Sequence, residues 1–201
     1  MIFKSEKSEL IVIKPVLFSL NSYLSAMKLF TKRLLLRPIT EHDAQNIFEI
    51  RSNPEINQFV QRNSPKNSFE ALDFILSIKK REANKEILFF GICEKENQQL
   101  IGTICLWKFS EDRKTAELGY ELLPRFHRKG IMFEAIERIL SFGFNDLKLE
   151  KIEAFTNKNN FNSIKLLEKS RFVFNENRRD EKFPDNRIFE LSFSNYQTTS
   201  H

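Results

Sequence analysis

Apolar positions along this chain follow two rhythms, one of period two and one near three and a half, and the switches between them mark out its elements. Residues 33–37 (RLLLR) read as a strand that Pro38 closes. Thr40, Glu41, His42 and Asp43 open a helix in the manner of a capping box. That helix carries Ala44, Ile47, Phe48 and Arg51 before Asn53-Pro54 stops it. Ser68 opens a second helix, with Leu72, Ile75, Leu76 and Lys79 at helical spacing. Strand-like runs follow at residues 87–93, 100–108 and 115–122, joined by short polar turns as in an antiparallel meander. After a loop over residues 123–129, Met132, Ala135, Ile136, Ile139, Leu140 and Gly143 form one face of a long helix. A strand (151–156), a short helix (160–169), a strand (172–174), a polar loop (175–186) and a closing strand (187–193) complete the pattern. This order predicts an α/β (α+β) fold, with a mixed, mostly antiparallel central sheet and helices on both faces.

Residues 1–28 do not share the pattern. Their apolar run LIVIKPVLFSL is broken by Lys14 and Pro15, which makes it a poor signal-peptide core. We expect a dispensable N-terminal extension over 1–28, a single domain over 29–195 beginning near Met27, and a polar tail over 196–201. No apolar run reaches the roughly 18 residues of a membrane-spanning helix. Cys93 and Cys105 lie inside apolar runs and read as buried thiols in a reducing, cytoplasmic setting. With three histidines and no Cys-x-x-Cys, no metal-ligand pattern is present.

The formal charge of the chain is +5, which suits an anionic ligand. Residues 1–28 hold four lysines and two glutamates, so the remaining chain carries +3. That is little for a phosphate backbone, and the aromatics lie in buried-looking runs rather than an exposed stacking series. No specific nucleic-acid partner is therefore expected.

Candidate chemistry concentrates in residues 116–135, AELGYELLPRFHRKGIMFEA. Here a strand runs into a donor-rich turn, and a helix starts near Gly130. The first N–H groups of a helix lack partners and sit in positive dipole potential, so such a junction can seat a pyrophosphate. Gly130 allows close backbone approach, and Arg128 and Lys129 add charge. Neither Gly-x-x-x-x-Gly-Lys-Ser/Thr nor Gly-x-Gly-x-x-Gly occurs.

The stretch His127-Arg128-Lys129-Gly130-Ile131-Met132 resembles the acetyl-CoA pyrophosphate loop of the GNAT superfamily of N-acetyltransferases, Gln/Arg-x-x-Gly-x-Gly/Ala. Three further stretches, Thr31 through Pro38, Glu117-Leu118-Gly119-Tyr120-Glu121-Leu122, and Asn160-Phe161-Asn162-Ser163 with Leu167-Glu168-Lys169, are similar to its RimJ/RimL branch, the ribosomal-protein-alanine N-acetyltransferases. The four matches stand in order and together span about Thr31 to Phe193.

The resemblance implies the GNAT fold, with acetyl-CoA seated where the fourth strand (115–122) splays from the fifth (151–156). It also implies cofactor contacts from Leu122, Leu123, His127, Arg128, Lys129, Gly130, Ile131, Met132, Asn160 and Ser163. No metal is implied. The acceptor would be a primary amine, on a protein N-terminus or a small molecule, attacking the thioester directly, and the enzyme a monomer or homodimer. An amine must lose a proton to attack, so a carboxylate belongs near the splay. Alternation puts Glu117, Gly119 and Glu121 on one strand face and Leu118, Tyr120 and Leu122 on the other. Glu117 is the first candidate base and Glu121 the second; both also fit a half-exposed strand as plain solvated carboxylates.

The chain departs from the family pattern at four positions. His127 stands for Gln or Arg, Arg128 for a frequent glycine, and Arg171 for the glycine of Lys-x-Gly-Phe. Leu167 stands where many members carry a tyrosine that protonates the departing thiolate, which leaves the general acid unassigned. Residues 53–68 and 175–186 are the expected walls of the acceptor pocket. A catalytically inactive acyl-CoA-binding module is the competing expectation.

Overall fold

The computed structural model describes residues 27–198. The extension expected over 1–28 therefore lies outside the described residues except for 27 and 28, and the tail expected over 196–201 except for 196–198. Leu34, Leu35 and Leu36, buried in succession, form the heart of β2 (Leu34–Pro38). A run apolar on both faces belongs to a strand covered on both sides. A two-residue β1 (Leu29–Phe30) pairs with it antiparallel, an element too short for any periodicity to announce.

Thr40 opens the next segment as its motif predicts: its N–H donates to the Asp43 carboxylate at 2.7 Å. A 3-10 turn (Glu41–Asp43) leads into α1 (Ala44–Ser52). Asn53-Pro54 ends that helix but also starts another, α2 (Pro54–Asn57), because Asn53 caps it and proline is well suited to a first helical position. For α3 (Ser68–Ala83) the cap is Asn67, whose side chain accepts from the N–H of Glu70.

The meander follows as β3 (Ile87–Glu94), β4 (Leu100–Trp107) and β5 (Thr115–Leu122). Next come α4 (Ile131–Ser141), β6 (Lys151–Asn157), α5 (Phe161–Lys169), β7 (Val173–Phe174), β8 (Asn186–Ser192) and α6 (Phe193–Gln197). The long amphipathic helix does not stop at Gly143. A wider π turn (Phe142–Asp146) extends it, with the N–H of Leu147 reaching the carbonyl of Phe142 at 3.1 Å. The expected strand over 172–174 shortens to two residues, since Phe172 turns into the core at 3% exposure.

All eight strands form one sheet in the order β1-β2-β3-β4-β5-β6-β8-β7, antiparallel at every contact except β5–β6. Two apolar cores lie on its two faces. One packs β-strand residues such as Leu36, Ile104 and Leu118 against Met132, Ile136 and Ile139 of α4. The other packs Leu35, Phe89 and Cys105 against Ile47 and Ile50 of α1 and Ile75 of α3. Helices thus cover both faces, as the sequence predicts.

Candidate active site

The single parallel contact is short. β5 and β6 pair only at Thr115–Lys151, Ala116–Ile152 and Glu117–Glu153, whereas β5 stays paired with β4 as far as Leu122. Beyond Glu117 the sheet opens into a gap, and a cavity of about 370 Å³ fills it. The N–H of Leu123 donates to Ile101 on the β4 side. Hydrogen-bonding groups of a strand alternate sides, so the main-chain groups of Tyr120 and Leu122 point into the gap. The splay expected between these two strands is therefore present.

The turn after β5 is shaped by sign changes in φ. Arg128 is left-handed at 59°, Gly130 is left-handed at 72°, and α4 begins at Ile131. Glycine takes this conformation freely, and Arg128 adopts it at a cost of about 1 kcal/mol. Such alternation curls successive N–H groups toward one side, and the first N–H groups of α4 continue that concave surface. His127 ties the turn back to the strand, with its Nε2 2.8 Å from the carbonyl of Leu122. A carbonyl can only accept, so Nε2 carries the proton. Leu122 and Leu123 are buried, as are Ile131 and Met132 at 6% and 7% exposure, and these four side chains anchor the turn while its backbone stays available.

Across the gap, Asn160 caps α5 by accepting from the N–H of Ser163 at 3.1 Å. The Ser163 hydroxyl meets the hydroxyl of Tyr120 at 2.8 Å. Both residues line the cavity together with Asn160 and Leu167. Burial pushes the Tyr120 phenol up to about 12, against the hydrogen bond from Ser163 that pulls it down. The sequence reading passed over Tyr120; its signal was its place on the same strand face as Leu118 and Leu122, turned toward the helix that carries Leu167.

The two glutamates share a strand face but not an environment. Glu117 lines the cavity, its side chain 12% exposed. Burial raises its pKa, and a 2.7 Å hydrogen bond from Lys108 only partly offsets that. Glu121 sits further along, where Arg62 donates to it and an Arg51 nitrogen lies 4.0 Å away. Arg51 stacks on Phe74 with its guanidinium 3.7 Å from the ring centre, and burial lowers its pKa to about 10. Arg62 also donates to Asn57 at 2.9 Å, so Glu121 pins the segment after α2 against the sheet.

That segment contributes residues 58–61 to the cavity, and the polar loop contributes 182–186. Asp180 organises the loop: its carboxylate accepts from the N–H groups of Lys182 and Phe183, both at 3.1 Å. Residues from both of these segments line the cavity. Arg171, which stands for the family's glycine, is left-handed at φ 69°.

The profile of the Acetyltransferase (GNAT) domain matches residues 33–173. The uncharacterized N-acetyltransferase YoaA of Bacillus subtilis is 33% identical over 142 residues, 71% of this chain and 80% of that protein. Two solved structures share the fold. One is the ribosomal-protein-S5-alanine acetyltransferase of Vibrio fischeri, with TM-score 0.72 and 17% identity over 85% of this chain and 99% of that one. The other is the spermidine N-acetyltransferase of Vibrio cholerae in complex with CoA and spermine, with TM-score 0.71 and 22% identity over 83% and 99%.

Proposed function

The chain belongs to the GNAT acetyltransferase family, and on that premise we propose that it moves an acetyl group from acetyl-CoA to a primary amine within the β5–β6 gap. The observation that carries this reading is the junction of an interrupted sheet with a glycine-started helix. The gap exposes strand N–H groups, and the turn over residues 127–132 presents a concave row of them beside Arg128 and Lys129. Acetyl-CoA supplies the thioester; the protein's own groups do the rest. Main-chain groups of Tyr120 and Leu122 align the pantetheine arm as a strand would. Amides of residues 130–132 hold the diphosphate, and Asn160 stands at the opposite wall.

Glu117 takes the proton from the attacking amine. Its raised pKa makes it a stronger base than an ordinary glutamate, and Lys108 keeps it oriented. The C–N bond forms as the C–S bond breaks. Tyr120, paired with Ser163, offers a hydroxyl toward the departing sulfur. A phenol near 12 is a weaker acid than a thiol of about 8.5, so it stabilises the thiolate by a hydrogen bond rather than by giving up its proton.

The acceptor lies between residues 58–61 and 182–186. Ribosomal proteins and polyamines are both acceptors suggested by proteins of this fold. The stretches around Thr31, Glu117 and Asn160 favour the RimJ/RimL branch and an N-terminal α-amine. Two free, buried cysteines favour work in the cytoplasm.

Calorimetric titration with acetyl-CoA and CoA tests the reading, with Gly130→Asp alongside. A carboxylate at that left-handed position should weaken binding by about 3 kcal/mol, or about 100-fold. Absence of binding to the wild type would sink the proposal. Binding without turnover of any amine or Ala- or Ser-starting peptide would leave an acyl-CoA-binding module.

A further inference from the structure

Glu134 occupies the first turn of α4, at the end of the helix where the dipole favours anions. A free carboxylate there would compete with any diphosphate seated on the same amides. It is not free. Its Oε1 accepts from the Thr31 hydroxyl at 2.6 Å and from the N–H of Arg33 at 2.8 Å, and its Oε2 from Nε of Arg33 at 2.7 Å. Burial opposes ionisation of this carboxyl, but those hydrogen bonds outweigh it and hold its pKa below the usual range.

The same guanidinium reaches the turn itself. Nη1 of Arg33 donates to the carbonyl of Lys129 at 2.9 Å, one residue before left-handed Gly130. The remaining Nη2 makes no hydrogen bond among the described residues. It faces Gly130, where an added Cβ would stand 3.5 Å from it. One planar fork therefore neutralises the acid of the first turn and occupies a carbonyl of the loop, across 96 to 101 residues of sequence.

We propose that Arg33 is a positioning residue for the diphosphate arm of acetyl-CoA, holding the Lys129 carbonyl and the Glu134 carboxylate away from the amides that receive it. This rests on the acetyl-CoA reading above. It also gives the Thr31-Lys32-Arg33 turn between β1 and β2 a purpose beside the start of α4.

The test compares Arg33→Met and Arg33→Lys with the wild type, using two probes: CoA, and S-acetylpantetheine, which keeps the thioester arm but lacks the diphosphate. Calorimetry reads the first and ligand-observed NMR the second. Arg33→Met should weaken CoA about 10- to 100-fold and leave S-acetylpantetheine within about twofold. Arg33→Lys should recover only part of the loss, because an ammonium is a point charge that cannot bridge carboxylate and carbonyl as a fork does. Unchanged CoA affinity in Arg33→Met overturns the inference, and so does an equal loss on both probes, which would mark general loosening of the fold. If the wild type binds no CoA, the acetyl-CoA reading itself falls, a result distinct from either.

Discussion

Glu117 and Glu121 show how far a strand's alternation can carry a functional argument. The rhythm places both on one face, and so they stand in the structure, but it says nothing about what crosses over to meet them. Arg62, 59 residues away from Glu121, decides the difference. Glu117→Gln should lower kcat about 100- to 10,000-fold while leaving acetyl-CoA affinity intact, as steady-state and binding measurements would show. Its pH behaviour has a definite sign. A carboxyl whose folded pKa lies above its unfolded value of 4.5 stabilises the fold below that value, and this stability is lost as pH rises through the folded pKa. Glu117→Gln should therefore melt above the wild type near pH 7, and the difference should shrink as the pH approaches 4. Glu121→Ala should behave differently, losing about 3 kcal/mol because two largely covered guanidiniums are left without their counter-ion. Chemical denaturation measures that loss. A Glu121→Ala protein that is fully stable but inactive would transfer the role of base to Glu121.

Elements with a sustained period were legible; those fixed by one or two contacts were not. The helix of Met132, Ala135, Ile136 and Ile139 announces itself because its buried face repeats over three turns. β1 has two residues and exists only because β2 lies beside it. The π turn after α4 follows from packing, since a Cβ on Gly143 would come within 2.9 Å of the Ile152 side chain and the chain stays tight against β6 there. Turns deviate most from what residue types suggest. Among the described residues, seven non-glycine residues are left-handed, Lys148 among them at φ 59°. Lys148 is exposed, in the connection to β6. Lys148→Gly should stabilise the protein by about 1 kcal/mol, read as a rise in melting temperature, because it relieves that strain without removing a packed side chain.

At the scale of the molecule, the predicted sheet is present because the hydrophobic runs that specify it are long, while the splay, which only the family resemblance implied, leaves no mark on those runs. The walls of the cavity were legible only as segments. Their side-chain placement depends on Asp180 organising one loop and Glu121 pinning the other, and such contacts leave no periodic trace. The two halves of the sheet meet at three residue pairs, with acetyl-CoA proposed to lie just beyond them. Ligand binding should then raise stability by mass action, about 2.7 kcal/mol at one hundred times Kd, which a thermal shift titration would reveal.

That short seam has a further consequence, visible in the rate at which amide hydrogens trade places with deuterium. The centre of an eight-stranded sheet is ordinarily its slowest-exchanging region. Here, past Glu117, protection along β5 should alternate residue by residue. Gly119 and Glu121, turned toward β4, should be slow; Tyr120 and Leu122, turned toward the gap, should be fast. An occupant lying along the strand would erase that two-residue beat, so the exchange pattern of a single strand would report whether the gap is filled.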